Sequence, residues 1–307
     1  MENFLEYLNL KIRNAVSDVF ADMDEAIEIR LRINSPVLVK TIKKDQFLDG
    51  NFIVNKKDID EILGNLTGNS IHAYENEIKK GFITVEGGHR VGISGDLVYD
   101  KDGIKGFKNI TSLNMRIARE FPGCSKKVLN QLISPDKNIY NTLIIGPPLS
   151  GKTTLIRDVA RNLSNGFKTP YFEGCDLTLI DERGEISAVY NGVPQMDTGR
   201  RTDVLSYCKK SDGFFMSIRA LSPRVIISDE LGSVEDFEII QYALKSGVKI
   251  IATAHGAGLD DVKRNIYLKD ILENNFFERA FILNKYPLKV NEVFDFQKNR
   301  VIYNDMD

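Results

Sequence analysis

Cysteine is scarce and scattered: Cys124, Cys175 and Cys208 are the only three in 307 residues, far apart and without a C-x-x-C pair. Such spacing builds neither a disulfide framework nor a thiolate metal site. Long apolar runs are also missing, and none approaches the ~20 residues that cross a bilayer as a helix. Residues Met1 to Lys11 carry Glu2 and Glu6 where a secretory signal would be basic, so the chain is expected to stay in the cytoplasm without a transmembrane segment. Neither sign of charge dominates. The formal net charge of −2 excludes an overall bias towards nucleic acid or anionic lipid, while a local basic face stays open. There are no internal repeats or low-complexity tracts. What remains, with 42% apolar and 27% charged residues, is a globular composition in a chain long enough for two domains.

The most informative stretch is Gly146-Pro147-Pro148-Leu149-Ser150-Gly151-Lys152-Thr153-Thr154, which follows the apolar run Ile139 to Ile145 and precedes a helical pattern from Lys152 to Leu163. The spacing G-x-x-x-x-G-K-T is that of a Walker A phosphate-binding loop, in which backbone N–H groups and the positive end of the next helix converge on phosphate. Lys152 is expected to reach the β- and γ-phosphates of ATP and Thr153 to hold Mg²⁺. Pro147 and Pro148 have no N–H, so the donors must come from Ser150 to Thr154.

Ahead of this loop, Phe4, Leu5, Leu8, Ile12, Val16 and Val19 recur at helical spacing and predict one amphipathic first helix. Ile27, Ile29, Leu31 and Ile33 then alternate with Glu28, Arg30 and Arg32, and Val37-Leu38-Val39 follows Ser35-Pro36; two strands are expected. Glu28, Arg30 and Arg32 share one face, read either as a solvated sheet surface or as arginines aimed at a neighbour's nucleotide. Lys57 to Leu66 and Ile71 to Lys80 read as helices, the second stopping at Gly81. Phe82 to Val85 and Val91 to Val98 flank Glu86-Gly87-Gly88-His89-Arg90 as a hairpin whose tip is expected to be an exposed polar turn. A second hairpin surrounds Asp102-Gly103. Adjacent Pro122 and Gly123 mark the expected domain boundary, giving residues 1–120 and 121–307.

After the loop, two apolar strands end in acids: Leu177 to Ile180 before Asp181-Glu182-Arg183, and Arg224 to Ser228 before Asp229-Glu230. Parallel α/β sheets place ligand chemistry at such strand ends. Asp181 or Glu182 is expected to orient Mg²⁺ or water unless this is only a solvated strand end. Asp229 is expected to bind Mg²⁺, and Glu230 to orient and activate water for in-line attack on the γ-phosphate, the Walker B role. A helix over Val234 to Ser246 leads to the strand Val248 to Thr253, which places His255 at the same sheet edge as a γ-phosphate sensor. Arg279 to Leu283, Val290 to Phe296 and Arg300 to Tyr303 read as antiparallel strands extending the sheet.

Taken in order, the loop, Leu177 to Arg183, Asn191-Gly192-Val193-Pro194-Gln195, Arg201 to Leu205, Ser217-Ile218-Arg219, Ser222 to Glu230 and Thr253-Ala254-His255-Gly256 resemble the stage III sporulation protein AA family. Glu28 to Arg32, Gly81 to Val85, Gly87 to Gly92 and Asn114 to Arg119 resemble that family's N-terminal part. The family is similar in turn to ring-forming ATPases of type II and type IV secretion and pilus machines. The resemblance implies an α/β fold, a RecA-like P-loop ATPase domain preceded by a smaller α+β domain. It also implies an ATPase on the mother-cell face of the membrane, assembled as a homo-oligomer of hexameric form. Its partners would be the channel proteins of the sporulation stage III complex that link mother cell to forespore, with no nucleic acid. Asp181-Glu182 then matches an acidic box, Thr253-Ala254-His255 a histidine box and Glu230 the catalytic glutamate. Arg183, Arg200, Arg201 and Arg219 are candidates for γ-phosphate or interface contacts. Many secretion ATPases lack an Asp at the position of Asp229. Two alternatives share the fold: a nucleotide-gated scaffold with slow turnover, and a RecA-like nucleic-acid motor.

Overall fold

In the computed structural model, residues 2–19, 26–41, 44–48, 52–101, 103–284 and 289–305 are described. They form two compact units, residues 1–119 with 188–195, and residues 120–187 with 196–307. The grouping of 188–195 with the first unit has no counterpart in the sequence reading.

The first unit is built on a six-stranded antiparallel sheet. Its strands are β1 (Ala26–Arg32), β2 (Leu38–Thr41), β3 (Asp45–Phe47), β4 (Phe82–Val85), β5 (His89–Asp100) and β6 (Gly103–Arg116), in the order β3-β2-β1-β6-β5-β4. Ile29, Leu31, Val39, Val91 and Met115 of the sheet pack with Ile59 and Ile62 of the helix Lys56–Thr67 and with Phe4, Leu8 and Ile12. The expected single first helix is broken into Glu2–Leu5 and Leu10–Val19. Asn9 breaks it, because its side chain accepts from the Ile12 N–H at 3.0 Å while Arg13 Nε donates to the Leu5 carbonyl at 2.8 Å, so both new ends are capped by side chains.

Two expectations fail here for physical reasons. Ile27 does not join Ile29 and Leu31 inside but is 40% exposed, because a bulge between Ala26 and Glu28 slips the alternation by one. The turn His89-Arg90 is not a solvated tip. His89 is buried, its ring lies 4.5 Å from that of Phe4, and its Nδ1 accepts from the Ala118 N–H at 3.0 Å. Burial pushes its pKa down to about 4. The second hairpin is present as β5 and β6, with Asp100 opposite Gly103; Asp102 lies outside the described residues.

The second unit carries eight strands: β7 (Thr142–Gly146), β8 (Leu177–Asp181), β9 (Thr202–Ser206), β10 (Val225–Leu231), β11 (Lys249–His255), β12 (Arg279–Leu283), β13 (Val290–Asp295) and β14 (Arg300–Asn304). The order is β14-β13-β12-β7-β11-β10-β8-β9, with β12 through β9 parallel and β13 and β14 antiparallel. Neighbours along β7 serve opposite faces. Ile144 packs with Leu155, Ile156 and Val159 of the helix Lys152–Asn165, whereas Leu143 and Ile145 pack with Ile239, Ile240 and Leu268 of the helices Val234–Lys245 and Ile266–Glu273. Burial on both faces is why these strands read as continuous apolar runs. Each fully buried Leu or Ile contributes roughly 1.5–3 kcal/mol, so register is strongly determined. Because the central strands are parallel, all their carboxyl ends meet at one edge.

Candidate nucleotide site at the carboxyl edge of the sheet

The loop after β7 starts the site. Leu149 has φ 64° and Gly151 φ 89°, two left-handed turns that fold the chain back before the helix Lys152–Asn165 begins. The first N–H groups of that helix have no intrahelical acceptor and point out of its positive end. Space at Gly146 is tight, since a Cβ there would press on Ser150 Oγ and lie 3.2 Å from the Cβ atoms of Ser150 and Leu283. Ser150 Oγ is itself buried without a hydrogen-bond partner among the described residues. Lys152 Nζ is folded onto the loop, donating to the carbonyls of Gly146 at 2.7 Å and Pro147 at 3.3 Å. Burial lowers its pKa and the charge of Glu230 opposes that shift, which places the two groups in electrostatic contact. Thr153 and Thr154 are half-buried in the first turn, whereas Pro148 and Leu149 are exposed.

Register brings the other strand ends alongside. His255 lies opposite Gly146 and is exposed, one strand from the loop. On the far side of β11, Glu230 lies opposite Thr253 and is also exposed. Ser228 pairs with Ala252 and Glu230 with the very next residue, so Asp229 is the extra residue of a bulge. The bulge lets adjacent acids take different settings: Glu230 faces solvent while Asp229 is half-buried. Burial drives the Asp229 pKa up to about 6, with Lys210 and Arg183 pulling it down and Asp181 pushing it up.

Asp181 corrects an expectation. It is fully buried, and its carboxylate accepts from the N–H groups of Glu185 (2.9 Å), Ile186 (3.1 Å) and Ser187 (2.8 Å) and from Ser187 Oγ at 2.6 Å. It is neither a solvated strand end nor a carboxylate with lone pairs to spare for Mg²⁺; it fastens the following turn. From the other side Arg157, on the helix after the loop, donates to the carbonyls of Ile186 at 2.5 Å and Glu185 at 2.9 Å. Both Asp181 and Arg157 escaped the sequence reading in these roles, because only the fold brings their partners within reach.

Glu182 and Arg183 are exposed just past Asp181 and line an open cleft of 660 Å³ with Lys209, Glu230 and Glu235. The other candidate arginines are not brought to this edge. Arg200 and Arg201 precede β9 at the amino edge, where the Arg201 carbonyl accepts from the Leu177 N–H at 3.0 Å. Arg219 lies at the far end of the helical run Lys210–Leu221, whose last turn, Ser217–Leu221, is a π-helix. Its guanidinium sits 5.8 Å from the centre of the Phe215 ring. In the first unit Arg30 is bound to the Glu28 carboxylate, so it is committed to its own sheet face, and Arg32 is exposed.

The donor set suits a nucleoside triphosphate with a hard cation. A space-restricted glycine loop, an orphaned buried hydroxyl and an ammonium held only by carbonyls are the groups that phosphate oxygens satisfy. The Thr153 hydroxyl and Asp229 carboxylate are oxygen ligands of the kind Mg²⁺ takes.

Comparison with known proteins agrees with this arrangement. The family described as sporulation stage III, protein AA matches residues 1–301. Stage III sporulation protein AA of Bacillus subtilis (strain 168) is 39% identical over 300 residues, 96% of this chain and 95% of that protein. Among solved structures, the Yersinia pseudotuberculosis ATPase DotB aligns with a TM-score of 0.62 at 15% identity, over 94% of this chain and 80% of that one. The pilus retraction motor PilT with bound ADP aligns with a TM-score of 0.56 at 16% identity, over 87% and 77%. At such identity the likeness shows the fold, the RecA-like P-loop core of secretion ATPases. No helix among the described residues is long and apolar enough to cross a membrane. With a family match over residues 1–301 and a relative 39% identical over 95% of its own length, the chain belongs to the sporulation stage III, protein AA family.

Proposed function

We propose that this chain is an ATPase that binds MgATP at Gly146 to Thr154 and hydrolyses it with Glu230. Its place would be as the cytoplasmic motor, peripheral to the membrane on the mother-cell side, of a secretion-like channel used in endospore formation. The observation that carries the enzymatic part is the register of β7, β11 and β10, which brings Gly146 at the start of the loop, His255 and Glu230 to adjoining strand ends of one edge. The ATPase and pilus-motor titles of the structural neighbours, one of them with ADP, support the same reading.

In this mechanism Lys152 leaves the carbonyls of Gly146 and Pro147 for the β- and γ-phosphate oxygens, while the loop N–H groups hold the phosphate chain. Thr153 and Asp229 would hold Mg²⁺, which supplies charge neutralisation on the phosphates when bound. Glu230 orients the attacking water and takes its proton, and exposed His255 contacts the γ-phosphate side. Glu182 and Arg183, across the cleft, complete the polar wall. Purified protein should release phosphate from MgATP, and Lys152→Ala should lose MgATP affinity in isothermal titration. Unchanged affinity in a folded Lys152→Ala variant would remove the loop from the site.

A further inference from the structure

Lys210 has no part in the mechanism above, yet it is one of the few buried cations in the second unit. Its Nζ donates to the main-chain carbonyl of Glu230 at 2.6 Å and to Asp236 Oδ1 at 2.9 Å. Asp236, only 1% exposed, spends its other oxygen on the N–H groups of Gly232 at 2.7 Å and Ser233 at 2.8 Å. Burial would raise the Asp236 carboxyl, but the Lys210 charge and those N–H groups outweigh it and hold the pKa below the ordinary carboxylate value. The need for such a clamp follows from the ladder. Pairing of β10 with β8 stops at Ser228 opposite Ile180, while pairing with β11 runs on to Leu231 opposite Ala254. Past the bulge at Asp229, the backbone that carries Glu230 is therefore accompanied on one side only. Lys210 supplies a donor where β8 no longer runs beside it.

We infer that Lys210 is a positioning residue for hydrolysis: through the Glu230 carbonyl and Asp236 it fixes the strand end that aims the Glu230 carboxylate. This rests on the proposed role of Glu230. A water-activating group displaced by about 1 Å loses up to ~10²-fold in rate without losing substrate affinity. Lys210→Met should therefore lower kcat by at least about tenfold and leave KM for MgATP within about threefold, the pattern of a lost transition-state interaction. Lys210→Arg, which keeps a cation with several donors, should restore most of the loss. Lys249→Met removes a less buried pair, Lys249 Nζ to Glu278 Oε2 at 3.0 Å, at the opposite edge, and should leave kcat unchanged. Amide hydrogen exchange over Glu230 to Ser233 should quicken in Lys210→Met and not in Lys249→Met. A folded Lys210→Met with kcat within twofold of wild type, a loss not relieved by Lys210→Arg, or unchanged exchange overturns the inference. Where Lys210→Met does not fold by circular dichroism, Lys210→Gln is read against the same limits. Absence of hydrolysis in the wild type, or full activity in Glu230→Gln, defeats the ATPase reading instead, and the exchange measurement still decides whether Lys210 holds the strand end.

Discussion

His89 is a residue whose environment reverses what its neighbours in sequence suggest. Two glycines and an arginine around it read as a solvent-facing turn, but Phe4 and the Ala118 N–H, distant in the chain, enclose it. A proton on Nδ1 would have to displace that N–H, which agrees with a pKa pushed down to about 4 by burial. Because the folded value lies below the ordinary 6.5, folding is indifferent to this group above pH 6.5. It is increasingly opposed as pH falls towards 4, where the unfolded chain takes up the proton. Between pH 7 and pH 5 the wild type should lose roughly 2 kcal/mol more than His89→Gln, whose amide oxygen can replace the acceptor. Urea unfolding at the two pH values measures this, and parallel losses would contradict it. The places of Lys152, Thr153 and Glu230 just after apolar strands were legible without the fold, since loop spacing and an apolar run ending in acids are local signals. Lys210 and Arg157 were not, because a buried cation is recognisable only from partners 26 and 29 residues away.

At the scale of elements, the central strands β7, β8, β10 and β11 were legible because burial on both faces writes them as apolar runs, and the hairpin of β5 and β6 because alternation flanks its turns. Bulges were not legible. One extra residue exposes Ile27 in β1, and another, Asp229 itself, precedes Glu230 in β10, in both cases without a mark in composition. Strand β9 was recognised only as a motif, being a short strand with its side chains half-buried or exposed. The turn after β8 is held by Asp181 and Arg157 together, so the acid at that strand end serves structure where its position suggested metal binding. Asp181→Asn would keep the shape but turn an amide NH₂ towards backbone donors. It should cost about 2–4 kcal/mol in unfolding free energy, as expected for a buried carboxylate acceptor left opposite unpaired donors. A loss below about 1 kcal/mol by denaturant titration would mean the turn is held by Arg157 alone.

For the whole molecule, the sequence reads as two consecutive segments, whereas 188–195 group with the first unit, and nothing in a short loop sequence tells which core it joins. The placement of the arginines bears on the proposed hexameric ring, in which a neighbour completes each site. Arg183 shares an edge with Lys152 and Glu230, whereas Arg200, Arg201 and Arg219 lie away from it and Arg32 is in the other unit. Mixing each alanine variant with Glu230→Gln separates the cases. An arginine acting in trans leaves some interfaces with both groups intact, so hydrolysis partly returns; one acting in cis cannot be rescued. Recovery is expected for at least one of Arg32, Arg200, Arg201 and Arg219 and not for Arg183. Recovery with none, once native mass spectrometry confirms mixed assemblies, would contradict a shared site. Hydrolysis by Glu230 itself is tested most directly by single-turnover conversion of bound MgATP in wild type and Glu230→Gln. The variant should bind MgATP as the wild type does and convert it at least ~10²-fold more slowly, as expected for removal of a water-activating base. Equal conversion rates, or loss of binding and hydrolysis together, would contradict the assignment of Glu230 as that base.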